Sequence, residues 1–276
     1  MQPAPPAMMG RVLVIAGSDS GGGAGIQADI KTITALGAYA ATAVTALTAQ
    51  NTLGAQGVLP VPPDFLRLQI ASVLDDLGAD AIKTGMLVDL PTVEAVCDAL
   101  AARPRLPVVV DPVMVAKSGL TLLDAPAVAA VKRRLLPFAA LLTPNVPEAE
   151  AMTGMAIRDA ATMRYAAEVL LTLGVPAVLL KGGHLPGETV IDLLATENGV
   201  ETVEYPRIAT RHTHGTGCTL ASAIAAGLAQ GMALGDAVRR ARRYVQAAIT
   251  AAPGFGAGHG PLNHAVTVDV ARIGAA

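Results

Sequence analysis

The sequence predicts an α/β fold: a doubly wound, mainly parallel sheet flanked by helices on both faces, with a short antiparallel edge. Three observations carry that expectation. The apolar runs in PVVVDP, ALLTPN and PAVLLKGG each follow a segment of helical length, and strands buried on both faces read as unbroken apolar runs rather than alternating ones. Each run closes on polar residues, glycine or proline, so strand and helix alternate as a doubly wound sheet requires. Between 188 and 205 the pattern changes to the short alternating segments ETVIDLLAT and GVETVEYP, which predict the antiparallel edge.

The elements follow in order. RVLVIA (11–16) reads as a strand that ends in the loop GSDSGGGAG, with IQADIKTITALG as the helix after it. Strand, glycine loop and helix make the first half of a βαβ unit. A helix over 63–78 is predicted from the stripe Leu66, Ile70, Val73, Leu74 and Leu77, with Pro63 suited to its first turn. ADAIKTG is the next strand. Helix 91–102 precedes PVVVDP, helix 124–135 precedes ALLTPN, and helix 159–173 precedes PAVLLKGG. Helices at about 216–229 and 235–251 complete the chain. No linker or repeat interrupts it, so a single domain over 11–276 is expected behind a loose leader, residues 1–10.

Composition bounds the partners. Of 276 residues, 52% are hydrophobic and 15% charged, and the net charge is −2. That balance favours a compact core and gives no general attraction to nucleic acid or to an anionic membrane. The basic runs VKRRLL and VRRARRYV place Arg239, Arg240, Arg242 and Arg243 at helical spacing, which predicts a solvated helix face. Two uncharged stretches, Thr32 to Pro63 and Gly215 to Gly235, are broken by Gly, Thr, Gln, Asn or Pro and read as buried core rather than membrane spans. The opening MQPAPPAMMG has neither the basic nor the apolar region of a signal peptide. Only Cys97 and Cys218 occur, far apart. They match no disulfide or metal pattern, and a reducing cytoplasm is the simplest setting.

Ligands of doubly wound sheets gather beyond the carboxyl ends of the strands. One rim therefore collects Gly17, Ser18 and Asp19, Lys83 to Met86, Asp111, Asn145 and Glu148, Lys181 to His184, and the THGTGC turn at 213–218. In that turn Gly215 and Gly217 let the backbone aim its N–H groups at one point, and the helix that follows adds the positive end of its dipole. Such a place attracts anions, and Cys218 sits beside whatever binds.

The chemistry narrows in steps. GSDSGGGAG only loosely resembles a dinucleotide fingerprint, and no Asp or Glu lies between Asp29 and Asp64 to close a second strand, which disfavours a nicotinamide cofactor. No G-x-x-x-x-G-K-[ST] element is present in the chain. Asp111 and Glu148, each just after a buried strand, are hard oxygen ligands suited to Mg²⁺, although a strand cap and a helix first turn near Pro147 would also explain them. Lys181 closes an apolar run into KGG and suits phosphate oxygens. His212, His214 and Cys218 lack a fourth zinc ligand nearby. A cysteine hydrolase with a histidine base is the rival from another class, but it leaves the acids and the lysine unexplained.

The segments VLVIAGSDSGGGAGIQADIKT, TAVTALTAQNT, KTGMLVD, VVVDPVMVAKSG, LLTPNVPEAE, VLLKGGH and HTHGTGCTLASAIAAGLAQG, with GAGHGPLNH near the end, together resemble one family. It is that of the bacterial hydroxymethylpyrimidine and phosphomethylpyrimidine kinases of thiamine biosynthesis, within the ribokinase-like superfamily. The resemblance implies a ribokinase-like fold with ATP- and Mg²⁺-dependent phosphorylation of 4-amino-5-hydroxymethyl-2-methylpyrimidine, then of its monophosphate to the diphosphate. Carried over by motif, it implies that Gly17, Asp29, Gln50, Met86 and Val113 line the pyrimidine pocket. Asp111 and Glu148 would organise Mg²⁺, Asn145, Lys181 and Gly217 would contact the nucleotide, and Gly215, Thr216 and Gly217 would form the anion hole. Cys218 takes the place where the superfamily usually has an aspartate base, and a helix N-terminus is expected to lower its pKa. A homodimer is implied as well. Ser20-Gly21 and Arg211-His212 depart from the Pro-Ser and Lys-Asn usual in the family. Relatives that phosphorylate pyridoxal-type alcohols also carry a cysteine in the turn and are the nearest alternative.

Overall fold

The computed structural model describes residues 10–103, 106–115 and 122–273. The expected leader therefore lies almost wholly outside the described residues, as does the KSG end of the VVVDPVMVAKSG segment. Nine strands form one sheet. They are β1 (Arg11–Asp19), β2 (Tyr39–Asn51), β3 (Gly54–Pro60), β4 (Ala81–Thr84), β5 (Val108–Val110), β6 (Ala139–Leu142), β7 (Ala177–Lys181), β8 (Thr189–Thr196) and β9 (Gly199–Pro206). Their spatial order is β3-β2-β1-β4-β5-β6-β7-β8-β9. Strands β2, β1, β4, β5, β6 and β7 run parallel, and β8 and β9 add the antiparallel edge foreseen from 188–205.

The opposite edge was not foreseen. Strand β3 pairs antiparallel with β2, and this hairpin occupies the uncharged stretch expected to be core. Leu53 and Leu59 are 70% and 64% exposed, so Thr32 to Pro63 is only partly interior. The other uncharged stretch is interior over the middle of helix α7 (Thr216–Ala229), with nine consecutive buried residues from Thr219 to Gly227, while Gly231 and Ala233 beyond it are exposed.

Alternation along β1 divides the core. Leu13 and Ile15 pack with helices α2 (Pro63–Asp76), α3 (Leu90–Ala101), α4 (Ala125–Ala130), α5 (Val146–Thr153) and α6 (Ala160–Leu171) on one face. Val12, Val14 and Ala16 pack with α1 (Gly25–Ala35), α7 and α8 (Leu234–Thr250) on the other. Successive strand residues point to opposite faces, so an all-apolar strand serves both layers. The stripe on α2 buries only Leu66 and Ile70, while Leu77 is exposed. The helix expected over 124–135 is α-helical only to Ala130 and widens into a π turn over Val131–Leu135.

The chain leaves β1 toward α1 on one face and leaves β4 toward α3 on the other, so the crevice between β1 and β4 is the switch point of the sheet. The pairing of β1 with β2 shifts register beside it, between Ala16 and Ser18, where β2 carries one extra residue, and such bulges re-aim backbone next to binding sites. Among the described residues no helix is long and apolar enough to cross a membrane.

Candidate active site

The strand tips open into one cavity of about 760 Å³, within the range of roughly 300–1,000 Å³ usual for small-molecule sites. Gly17, Gln50, Met86 and Val113 line one end. Asp111, Asn145, Glu148, Lys181 and residues Gly215 to Cys218 line the middle, and Tyr205, Arg207, Arg242 and Val245 the far end.

The acidic cluster is assembled by three strand ends. Thr143 Oγ1 donates to Asp111 Oδ1 at 3.2 Å, and Lys181 Nζ lies 3.0 Å from the same oxygen. Glu148 Oε2 is 4.0 Å from Lys181 Nζ. Asn145 and Glu148 also cap α5 reciprocally: the Asn145 N–H donates to Glu148 Oε2 at 2.7 Å, and the Glu148 N–H donates to Asn145 Oδ1 at 2.9 Å. The capping reading of Glu148 is thus realised, and the same residue lines the cavity. Burial pushes Glu148 up to about 7, with Asp111 adding to the rise and Lys181 opposing it. Burial would lower Lys181, but Asp111 and Glu148 hold it above its ordinary value, so it stays a cation.

The glycine turn closes on this cluster. Gly215 takes φ +85° and caps α7, and a Cβ there would collide with the carbonyl oxygen of Gly23. A Cβ on Gly217 would lie 3.3 Å from Lys181 Nζ and 3.6 Å from Asp111 Oδ2. Glycine thus leaves open a cradle bounded by the lysine, the aspartate and the start of α7.

Cys218 is partly exposed to the cavity. The expected lowering of its pKa does not occur: burial pushes the thiol up to about 12 despite the pull of Lys83. Desolvation outweighs the helix terminus, and at neutral pH the group is a thiol. Behind it lies an ion pair missed in the sequence. Lys83 Nζ is 2.9 Å from Asp29 Oδ2, both side chains are fully buried, and Ser222 Oγ donates to Asp29 Oδ1 at 2.7 Å. Asp29, expected in the pyrimidine pocket, is sealed behind the cavity wall with its charge answered by Lys83.

At the first end, a Cβ on Gly17 would collide with the Met86 side chain, so glycine here lets that methionine line the pocket. His214 does not approach Cys218 as a hydrolase base would. Its Nε2 lies 2.9 Å from Asp19 Oδ2 and 3.2 Å from Gln50 Nε2. At the far end the solvated-face reading fails for Arg242. It pairs with Asp192, whose side chain is fully buried, and stacks 4.9 Å from the Tyr205 ring centroid. Arg239 fits that reading, with exposed bonds to Glu201 and Asp236. The partner of Arg242 comes from β8, fifty residues away in sequence, so nothing local signalled its burial. A signal did exist for Asp19, which stands just before glycines whose N–H groups could close on a carboxylate.

A doubly wound sheet whose strand ends bring a helix N-terminus, a lysine and two carboxylates to one cavity has the layout of a small-molecule kinase. Comparison with known proteins makes this particular. The phosphomethylpyrimidine kinase model matches residues 19–263, and the chain belongs to that family. The hydroxymethylpyrimidine/phosphomethylpyrimidine kinase of Streptomyces coelicolor is 49% identical over 95% of this chain and 97% of its own. A thiamine biosynthesis bifunctional protein of Geobacter sulfurreducens is 51% identical over 95% of this chain, which spans only 54% of that longer protein. Among solved structures, the pyridoxal kinase from Staphylococcus aureus in complex with AMP-PCP and pyridoxal matches with a TM-score of 0.87. It is 32% identical, with 95% of this chain and 96% of that one covered.

Proposed function

We propose that the protein transfers the terminal phosphoryl group of ATP to 4-amino-5-hydroxymethyl-2-methylpyrimidine and then to the resulting monophosphate, yielding the diphosphate used to build thiamine. The observation that carries the reading is the cradle at Gly217, where Lys181, Asp111 and the start of α7 face one point beside Cys218. Family membership supplies the substrate class.

In this reading Gly17, Gln50, Met86 and Val113 hold the ring, and the amide of Gln50 can both donate to and accept from the aminopyrimidine edge. Asp29 acts from behind the wall, keeping Lys83 in place under the catalytic turn. Lys181 and the N–H groups of Gly215, Thr216 and Gly217 face the charge that spreads over the transferring group, and positioning of this kind is most of what phosphoryl transfer requires. Asn145 borders the phosphates. Cys218 orients the alcohol as a neutral thiol, and the loose transition state lets the hydroxyl proton leave late, to an oxygen of the phosphoryl group being transferred.

Asp111, Glu148 and Lys181 sum to one net negative charge on oxygen donors, a set that fits a hydrated divalent ion. Mg²⁺ held there would neutralise charge on the phosphates. The site belongs to a homodimeric, cytoplasmic enzyme with no nucleic-acid or membrane partner.

The test is ADP release with the pyrimidine alcohol and with pyridoxal as acceptors. A preference for the pyrimidine supports the reading. The likeness to pyridoxal kinase favours a second one, and release with pyridoxal alone would establish it instead.

A further inference from the structure

The loop from Gly182 to Gly187 follows Lys181 and walls the far end of the cavity with Gly183 and His184. Its composition gives it little means of holding a shape. Pro186 has no N–H to donate, and Gly187 takes φ +124°, a conformation open to glycine. Within the loop, the Leu185 N–H donates to the Gly182 carbonyl at 3.0 Å.

The antiparallel edge supplies what the loop lacks. The Gly182 N–H donates to Asp192 Oδ1 at 2.9 Å, and a Cβ on Gly182 would collide with the Ile191 carbonyl oxygen, so this glycine lies flush on β8. Asp192 is itself held: its side chain is fully buried, pairs with Arg242 and accepts from the Tyr205 hydroxyl at 3.2 Å. Beyond Gly182 the hold passes to Arg207, the first residue after β9. Its Nη1 donates to the Gly183 carbonyl at 2.9 Å, its Nη2 to the Leu185 carbonyl at 2.5 Å and its Nε to the Gly187 carbonyl at 2.6 Å. Its backbone N–H donates to the Glu188 carbonyl at 2.7 Å. Alternate residues of the loop thus turn their carbonyls onto one guanidinium.

We propose that Arg207 is a positioning residue for the nucleotide end of the cavity, its planar fork being the template on which the loop 182–187 is shaped. The inference rests on the reading that the pyrimidine takes the end at Gln50 and the phosphoryl group the Gly217 cradle. That leaves the far end, with Val190, Ile208, Val245 and Ile249, to the nucleoside. A loop already shaped costs the ligand less ordering on binding. The three carbonyls meet three different nitrogens of one rigid plane, and a lysine ammonium, a single nitrogen, cannot stand at all three positions. Charge and shape therefore separate by experiment. Were Arg207 only a positive charge for phosphate oxygens, lysine would replace it; as a template it has no such substitute.

The experiment measures the Kd of AMP-PCP with Mg²⁺ by calorimetry, kcat and KM for the pyrimidine alcohol at saturating ATP, and a thermal melt. The proteins are the wild type, Arg207→Lys and Arg207→Met. Both variants weaken AMP-PCP binding by about 10-fold, with kcat and KM for the alcohol within about threefold of wild type. Arg207 is exposed, so water meets the carbonyls it releases and the melt moves little. Wild-type affinity in Arg207→Lys with weakened binding in Arg207→Met overturns the proposal in favour of plain charge. Wild-type affinity in both variants overturns it as well, and so does loss of the fold, which would make the fork a support of the whole sheet edge. A change confined to KM for the alcohol overturns both this inference and the placing of the acceptor at Gln50. A wild type that binds AMP-PCP yet phosphorylates neither the alcohol nor pyridoxal defeats the functional reading alone, since the affinities still decide the role of Arg207. One that does not bind AMP-PCP defeats both.

Discussion

Lys181 Nζ stands 3.0 Å from Asp111 Oδ1, seventy residues apart in sequence, and this contact joins the tips of β5 and β7 beneath the Gly217 cradle. The lysine also lies 4.0 Å from Glu148 Oε2, so one cation faces two of the acids that line the cavity. Lys181→Met is expected to lower kcat by about 100-fold or more, the scale seen when a single charge-stabilising donor is lost. Steady-state kinetics check this, and a variant within about threefold of wild type would remove Lys181 from the transfer step.

Glu148 gives a pH dependence with a definite sign. Its pKa rises from 4.5 to about 7 on folding, so the folded chain binds more protons than the unfolded one between those values. Stability from this group is present at low pH and is lost as pH rises through about 7. Glu148→Gln should therefore raise the melting temperature at pH 8, by about 2–3 °C for each kcal/mol recovered, while weakening metal-dependent turnover. Melts of both proteins at pH 5 and pH 8 read the effect, and a lower melting temperature of the variant at pH 8 contradicts it.

Cys218 makes two linked predictions. With its thiol at about 12, alkylation by iodoacetamide at pH 7.5 should be much slower than that of free cysteine, whose pKa is roughly 8.5. Cys218→Ala should lower turnover far more than affinity for ATP. Rapid alkylation, or turnover equal to wild type, would show that the residue does not hold the alcohol as argued.

The buried pair Lys83–Asp29 predicts a stability effect. Lys83→Met leaves a fully buried carboxylate without its cation, and breaking such pairs costs about 3–5 kcal/mol. The double change Lys83→Met with Asp29→Asn should recover most of the loss. Denaturant midpoints decide the matter: a single variant as stable as wild type would mean that solvent or a rearrangement reaches Asp29.

The legible parts of this protein are those where local pattern and burial agree. Val108, Val109 and Val110 read as a doubly covered strand because each neighbour is equally apolar, and THGTGC read as a glycine turn opening a helix at the strand-end rim because its glycines and helix start are contiguous. What stayed hidden depends on partners distant in sequence. The resemblance put Asp29 in the pocket, and its burial against Lys83 and Ser222 was not legible because those partners come from another strand and another helix. Arg242 looked solvated because Asp192 and Tyr205 lie on β8 and β9. The β2–β3 hairpin escaped because its mix of Ala, Thr and Gly has no clean period of two. The thiol of Cys218 went the other way from expectation because burial, which only the tertiary structure sets, outweighs the helix terminus.

The most direct test follows the pyrimidine monophosphate with one equivalent of ATP by ³¹P NMR. The two-step kinase reading predicts paired diphosphate resonances of the pyrimidine product appearing in step with ADP. An unchanged monophosphate under conditions where the same preparation phosphorylates pyridoxal would contradict it.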